Sequence, residues 1–213
     1  MKYPFTPELL DSLPEELAEL YRSLELKLLD EICSRLKIAG ELNEVTVQDI
    51  RALRSHGIDL SEIEKAIQRT ANISRKELDK LLDEVVERNQ RYYTDLIDLA
   101  GVTQPETMVS SADINAILSQ AQREVGNLTR SMGFLLDNGR TMLPYARAYQ
   151  WALDIAEMQI MSGAISYNQA IKSAVKQLAD SGLRMVDYES GHRDHIDVAA
   201  RRAVMTGVSQ ICA

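Results

Sequence analysis

The fold is decided most clearly by residues 74–100, which read SRKELDKLLDEVVERNQRYYTDLIDLA. Apolar side chains recur in this stretch at alternating intervals of four and three residues, with one asparagine in the series. The series comprises Leu78, Leu82, Val85, Asn89, Tyr92, Leu96 and Leu99. Such heptad spacing places these side chains along one side of a helix. It predicts a helix about 40 Å long, at about 1.5 Å per residue, that packs against other helices.

Asn89 is the polar member of this heptad face. A buried amide without a hydrogen-bond partner costs about 1–3 kcal/mol, so something is expected to pair with it. One interpretation is a bond to another group of the same folded chain. The other makes Asn89 a register-setting residue in a helix bundle formed between chains. The sequence leaves both open, and Asn89 is a candidate interaction or structural residue.

Segments on the N-terminal side show the same rhythm of three and four residues. Leucines and isoleucines over 13–36, followed by Gly40, predict a long helix. Shorter helices are predicted over 46–55 and 59–72. The Ser-x-x-Glu spacing that begins at Ser74 is a capping box, and it predicts that the heptad helix starts there as a separate helix.

A linker is predicted at residues 101–111, GVTQPETMVSS, where glycine, proline and hydroxyl residues occur without any period. It divides the chain into two expected parts. The first is an N-terminal helical arm or bundle, 1–107, which carries the heptad helix 74–100. The second is a C-terminal helical module, 108–213.

Helical patterns continue after this linker, and the two helices on either side of Gly163 are expected to form a hairpin. The fold class is therefore all-α, with long antiparallel helices and helical hairpins in two helical modules. The predicted elements are a helix capped by Ser110 and Asp113 and closed at Asn138–Gly139, a helix from Pro144 to Met161, a helix from Ser166 to Asp180 with Gly182 as its stop, a brief extended piece over 183–188, and a last helix capped by Asp194.

Composition restricts the functions open to the chain. Its 213 residues and 45% apolar content suffice for a real core, whereas the formal net charge of −8 disfavours direct binding to nucleic-acid phosphates. Two distant cysteines, Cys33 and Cys212, indicate neither a disulfide framework nor a zinc site. No apolar run approaches the roughly 20 residues of a membrane span, and the first residues do not form a signal peptide.

Side chains of the kind that bind metals concentrate near the C-terminus: Glu189, His192, Asp194, His195 and Asp197. Two histidines three residues apart share a metal if both lie on one helix. However, Gly191 indicates a turn at the first histidine, and Arg193 adds a positive charge, so capping and ion pairing are favoured. Phosphate-loop, HExxH and Gly-x-Ser-x-Gly motifs do not occur in the sequence. We predict no catalytic residue, no cofactor and no metal.

Arg201 and Arg202 lie among small apolar residues. Guanidinium groups beside small side chains permit close helix approach and pairing with carboxylates. An internal salt bridge to Asp187, Glu189 or Asp197 is one outcome, and a contact with a partner is the other.

Three stretches near the C-terminus are distinctive: VDYESG at 186–191, DVA at 197–199 and RRAVMTG at 201–207. With the residues around them, 163–210, they resemble the phage minor capsid protein 2 family. The resemblance implies a virion component of tailed phages or prophages, present in few copies inside the head near the portal vertex. Within these stretches the candidate interaction or structural residues are Tyr188, Gly191, Asp197, Arg201, Arg202, Thr206 and Gly207.

The resemblance implies a structural minor head protein that docks by its helices onto the portal or the major capsid protein. It would act in several copies and assist head assembly, DNA packaging or ejection, first in the host cytoplasm and then inside the head. Relatives usually continue after the Thr-Gly-x-x-Gln stretch, and the last helical pattern has no stop signal, so we expect a longer natural chain.

The sequence is compatible with two other functions. One is a delivery or carrier module for a toxin or enzyme whose catalytic domain lies beyond residue 213. The other is a metal-dependent enzyme that uses His192, His195 and neighbouring carboxylates.

Overall fold

A computed structural model of the chain describes residues 4–40, 61–101, 111–136, 141–163, 165–186 and 193–212. These residues are predominantly α-helical and include one small antiparallel sheet. The expected all-α class is confirmed. The predicted short helix over 46–55 lies outside the described residues.

The helices and strands follow one another in an order that places the short strands between helices. They are α1 (Pro7–Ser12), α2 (Glu15–Gly40), α3 (Ser61–Ala100), α4 (Ser111–Arg130), β1 (Met132–Leu136), β2 (Thr141–Leu143), α5 (Tyr145–Met161), α6 (Tyr167–Ser181), β3 (Leu183–Val186), β4 (Arg193–His195) and α7 (Ile196–Cys212). None of the helices in the described ranges is long and apolar enough to cross a membrane.

Helix α3 is continuous where two separate helices were predicted. The Ser74 hydroxyl does not cap a helix; it lies buried inside one and donates to the Thr70 carbonyl at 2.6 Å. The buried side of α3 also continues across this point, from Ile63 to Leu78. Burial on both sides of Ser74 outweighs the local start signal, so the predicted break was wrong.

Helix α4 ends at Arg130, earlier than the predicted stop at Asn138–Gly139. The next residues form strand β1, in which nearly every position is buried. A run that is buried at consecutive positions suits a strand covered on both faces better than one side of a helix. Gly133 shows how close the pairing is, because an added Cβ would lie 2.6 Å from the Leu143 carbonyl oxygen.

The sheet has the strand order β2-β1-β3-β4, and all neighbours are antiparallel. The brief extended piece predicted from residue 183 is confirmed as β3. Asp194 lies opposite Met185 in the β3–β4 pair, and α7 begins only at Ile196. The prediction of Asp194 as the cap of the last helix was therefore wrong, because that residue belongs to the sheet.

The predicted helical hairpin is confirmed: α5 and α6 pack against each other and against β1. Ser166 accepts from the Gln169 backbone N–H, and the Gln169 side chain accepts from the Ser166 N–H at 3.1 Å, which completes a capping box. Gly182 ends α6 at a φ of 66°, a conformation that favours glycine.

The chain forms two compact units. Unit 1 comprises Met1–Tyr21, Arg69–Arg130 and Ile196–Ala213, and unit 2 comprises Arg22–Gln68 and Ser131–His195. Unit 1 therefore contains α1, α4, α7, the start of α2 and most of α3. Unit 2 contains the sheet, α5, α6 and the remaining parts of α2 and α3.

The expected domain boundary between residues 107 and 108 falls in 102–110, outside the described residues. The division into 1–107 and 108–213 stays a prediction.

Candidate interaction surface

The heptad face of α3 changes from buried to exposed along the helix. Leu78, Leu82 and Val85 are buried, and Asn89 is 6% exposed. Farther along the same side, Leu96 is 36% exposed and Leu99 is 73% exposed. The structure thus divides the predicted face into a packed part and an end whose apolar side chains meet solvent. We call Tyr93, Leu96 and Leu99 the apolar end of α3.

Within unit 1, α3 runs antiparallel to α4. Gln122 of α4 donates to the carboxylate of Asp79 at 2.8 Å. Farther along both helices, Val86 of α3 and Ile117 of α4 line a common recess. From the first contact to the second, the residue numbers rise along α3, from Asp79 to Val86, and fall along α4, from Gln122 to Ile117. The two helices are therefore antiparallel.

Gly207 allows α7 to approach both of these helices. A Cβ at this position would lie 3.2 Å from Leu82 Cδ2 and 3.7 Å from Ala121 Cβ. Leu82 and Ala121 are both buried. Gly207, a candidate from the family-like stretch, therefore lies where α3, α4 and α7 meet.

Asn89 contacts the last turn of α7. Its Nδ2 donates to the Ile211 carbonyl at 2.9 Å. This hydrogen bond is formed within one chain, as the first interpretation expected. Its Oδ1 is buried and has no hydrogen-bond partner among the described residues. A role for Asn89 at an interface between chains stays a prediction.

A recess surrounds Asn89 at this end of unit 1, and its walls are almost wholly apolar. We call it the Asn89 recess. Its lining comes from α3, α4 and α7, and consists of Val86, Asn89, Gln90, Ile114, Ile117 and Ile211. The heptad pattern pointed to Asn89, but nothing in the sequence paired α3 with Ile114 or Ile211, because those contacts depend on the tertiary arrangement.

Arg201 donates to the carboxylate of Glu15 at the start of α2. The acid differs from the three that the sequence suggested, of which Asp187 and Glu189 lie outside the described residues. Both paired side chains are partly exposed, so the ion pair contributes at most about 1 kcal/mol. The small residues beside Arg201 are buried, as close helix approach requires: Ala199, Ala200 and Ala203.

The remaining candidates do not converge on one point. Thr206 donates to the Arg202 carbonyl at 2.9 Å, one turn back along α7, and the Arg202 side chain is exposed. Asp197 lies in the first turn of α7, where a negative charge is favourable to the helix dipole. Tyr188 and Gly191 lie outside the described residues.

His195 lies at the end of β4 and is in contact with Arg184. The Arg184 Nη2 is 2.9 Å from His195 Nε2, and since arginine can only donate, this histidine nitrogen accepts. Arg184 also donates to the Ser181 and Arg193 carbonyls at 3.0 and 3.3 Å. The other histidine of the candidate metal set, His192, lies outside the described residues. Among those described, no three His, Cys, Asp or Glu side chains cluster as metal ligands.

Tyr21 anchors α2 in the core of unit 1. Its ring is fully buried, and its hydroxyl donates to the Val125 carbonyl at 3.4 Å. Burial raises the pKa of Tyr21 to about 12, although a hydrogen bond with Ser74 and the charge of Arg75 act in the opposite direction. A tyrosine held neutral in this way has a structural role.

Comparison with protein families identifies the chain's family. The family model described as phage minor capsid protein 2 matches residues 5–213, essentially the whole chain. The resemblance noted over 163–210 is thereby confirmed and extended to the N-terminal helices. No curated protein and no solved structure gives a significant match.

Proposed function

This chain belongs to the phage minor capsid protein 2 family, and from that premise we propose that it is a minor head protein which docks by its helices onto the portal, the major capsid protein or both. The family gives it a structural role in the phage capsid, a place in the virion and other head proteins as neighbours. The docking partner and the surface used are the parts that we propose.

The single observation that carries this proposal is the exposed apolar end of α3. Leu96 and Leu99 continue a heptad face whose earlier residues are buried by helices of the same unit. Contiguous apolar side chains left in solvent mark interaction sites more often than chance exposure does. A helix that extends its apolar face beyond its own bundle is suited to packing against a further protein.

Charge supports a protein partner over packaged DNA. The formal net charge of −8 opposes association with a polyanion, and it does not prevent apolar docking onto a neighbouring subunit. We propose that several copies act inside the head, that they assemble there from the host cytoplasm, and that they assist head assembly, DNA packaging or ejection. The proposal includes no membrane contact and no sequence-specific binding of nucleic acid.

The test uses phage particles that lack this protein, complemented with the wild-type chain or with a Leu96→Ser, Leu99→Ser double variant. The proposal expects particles without the protein to differ in protein composition, DNA content or infectivity, and expects the wild-type chain to restore them. The double variant should be incorporated poorly although it folds. Particles that are identical in all three properties with and without the protein would contradict the proposal.

A further inference from the structure

We propose that Arg75 of α3 and Arg130 of α4 form a binding site for one oxyanion group, a carboxylate or a phosphate, beside Gly126. All three residues belong to unit 1. The site does not depend on the proposed function, because it requires only this chain and a small anion.

Two guanidinium groups converge at Gly126. The Nη2 atoms of Arg75 and Arg130 lie 3.4 and 3.7 Å from the point that a Cβ on Gly126 would occupy. Arg75 reaches this point from α3, and Arg130 reaches it from the last turn of α4. Hydrogen bonds from a guanidinium to an oxyanion are about 2.7–2.9 Å long. An anion with two or more oxygens beside this point therefore accepts from both side chains at once.

Arg130 is oriented by its own helix. Its Nε donates to the Gly126 carbonyl at 3.2 Å, and its Nη2 donates to Oδ1 of Asn127 at 2.8 Å. Both acceptors are neutral, so they leave the positive charge uncompensated. An arginine side chain has more N–H donors than these two bonds use, and the others remain for an anion. A side chain that is already oriented loses less conformational entropy when a ligand binds.

Neither Arg75 nor Arg130 forms a salt bridge with a carboxylate among the described residues. Neighbouring acids make other contacts. Asp79 accepts from the Gln122 side chain at 2.8 Å, and Glu124 accepts from a glutamine of its own helix. Glu77 lines a cleft between α3 and the start of α2. The two guanidinium groups are therefore open to an acidic group that comes from outside these residues.

The charge near the two arginines determines the kind of anion. Within about one helical turn of Arg75 and of Gly126, over 71–79 and 122–130, cations exceed acids by one. These charged residues are Arg75, Lys76, Arg123 and Arg130 against Glu77, Asp79 and Glu124. A small local excess of positive charge attracts one anionic group, whereas the formal net charge of −8 on the whole chain repels a polyanion such as DNA. The site therefore suits a single carboxylate or phosphate.

Gly126 leaves room between the two guanidinium groups. An alanine methyl at this buried position would meet only the ends of the two arginine side chains, at 3.4 Å or more. Glycine lowers helix stability relative to alanine, so it carries a cost inside α4. Packing between helices gives no reason for glycine at this position. Space for a ligand between two guanidinium groups does give one.

The binding test follows the Nε–Hε signals of arginine side chains by NMR in the 15N-labelled full chain. One titration uses sodium acetate and another uses sodium phosphate, both at constant ionic strength. We expect the Arg75 and Arg130 signals to shift and saturate with at least one probe, while the Arg123 signal stays in place. The probe that binds more tightly identifies the anionic group.

Variants of the chain separate this site from general charge attraction. Arg75→Gln and Arg130→Gln should each weaken binding about three- to fivefold, as expected for the loss of one exposed ion pair. The matched control is Arg123→Gln, which removes an exposed positive charge from the same helix and should leave the affinity unchanged. Gly126→Ala retains both guanidinium groups but places a methyl group between them, so it should also weaken binding.

Several results would overturn the proposal. Equal shifts of all exposed arginine signals, or an equal loss of affinity in the Arg123 variant, would show general screening without a site. Unchanged binding by Gly126→Ala would show that the space beside the glycine is not used. A clearly lower unfolding temperature for Arg75→Gln or Arg130→Gln would show that the arginine has a structural role. Tighter binding of a short DNA duplex, lost in both variants, would contradict the restriction to a single anionic group.

Discussion

Single residues in unit 1 carry strict packing requirements, and Gly207 is the clearest example. A Cβ there meets two methyl groups of the buried Leu82 at 3.2 and 3.3 Å. The glycine therefore costs some helix propensity but permits three helices to approach. The resemblance drew attention to Gly207, and the structure supplies a physical reason for glycine at this position.

Replacing Gly207 by alanine should destabilise the protein relative to the same change at Gly126. At Gly126 the nearest atom to an added Cβ is the end of the Arg75 side chain, at 3.4 Å, which can move aside. Gly126→Ala should thus be neutral or stabilising by up to about 1 kcal/mol. Gly207→Ala should have a free energy of unfolding lower than that of Gly126→Ala by about 1–3 kcal/mol in urea denaturation. Equal stabilities for the two variants would show that Leu82 does not restrict position 207.

Tyr21 predicts a loss of stability in alkali. Its pKa is about 12 in the folded chain and about 10 when unfolded, so the folded state retains a proton that the unfolded state releases. The stabilisation is complete below pH 10 and is lost as the pH rises to about 12, up to about 2–3 kcal/mol.

Urea denaturation between pH 9 and about 12 checks this by comparing the wild-type chain with Tyr21→Phe, which cannot ionise at this position. The wild type should lose stability more steeply above pH 10 than the variant. Parallel curves for the two proteins would contradict the burial of an un-ionised Tyr21 hydroxyl.

Among the helices and strands, α3 shows why local signals succeed in one place and fail in another. Capping-box spacing occurs at both Ser74 and Ser166. At Ser166 the backbone of the serine itself is extended and its hydroxyl accepts from the Gln169 N–H, so the signal marks a true helix start. At Ser74 burial continues on both sides, and the hydroxyl bonds to Thr70 inside one helix. The sequence contains the same local pattern in both cases, and only the tertiary environment distinguishes them.

Arg75→Pro distinguishes a helix start at Ser74 from a continuous α3. Proline is tolerated at the first position after an N-cap, but in a helix interior it costs about 3 kcal/mol or more. Because α3 is continuous, we expect that loss in the free energy of unfolding. Arg75→Ala, which removes the same exposed side chain and keeps the N–H, should change stability by less than about 0.5 kcal/mol. A proline variant as stable as the alanine variant would indicate a break at Ser74.

Most of the sheet could not be predicted from the sequence. Only β3 was anticipated as an extended piece, whereas β1 was interpreted as the end of a helix. The apolar residues of β1 fit a three-and-four rhythm as well as a buried strand, because short apolar runs are ambiguous in period. Their strand conformation depends on pairing with β2, which follows closely in the sequence, and with β3, whose Leu183 pairs with Phe134 from a distant part of the chain.

For the whole molecule, the helices were largely predictable, but their grouping was not. Amphipathic periods are local, and they located α2, α5, α6 and most of α3. The composition of unit 1 depends on contacts between segments far apart in sequence, such as Asn89 with Ile211 and Arg201 with Glu15. The interaction surface had the same limit: the heptad pattern identified its residues, but which of them remain exposed depends on the tertiary arrangement.

Expression of residues 1–107 alone probes this grouping. The fragment lacks α4 and α7, so the buried Leu82 would lose its close neighbour Gly207 of α7. We expect the fragment to be helical by circular dichroism but to unfold without a sharp transition. Cooperative unfolding of the isolated fragment would show that it forms an independent domain and would contradict this expectation.

We propose above that the exposed end of α3 contacts another head protein in the particle. Photo-crosslinking from a benzoyl-phenylalanine placed at Leu99, which is 73% exposed, tests it most directly in assembled heads, with the same probe at Leu26 as the control. We expect a crosslink from position 99 to the portal or the major capsid protein, at a yield well above that from position 26. Crosslinks from position 99 only to its own chain, or at no higher yield than from position 26, would contradict it.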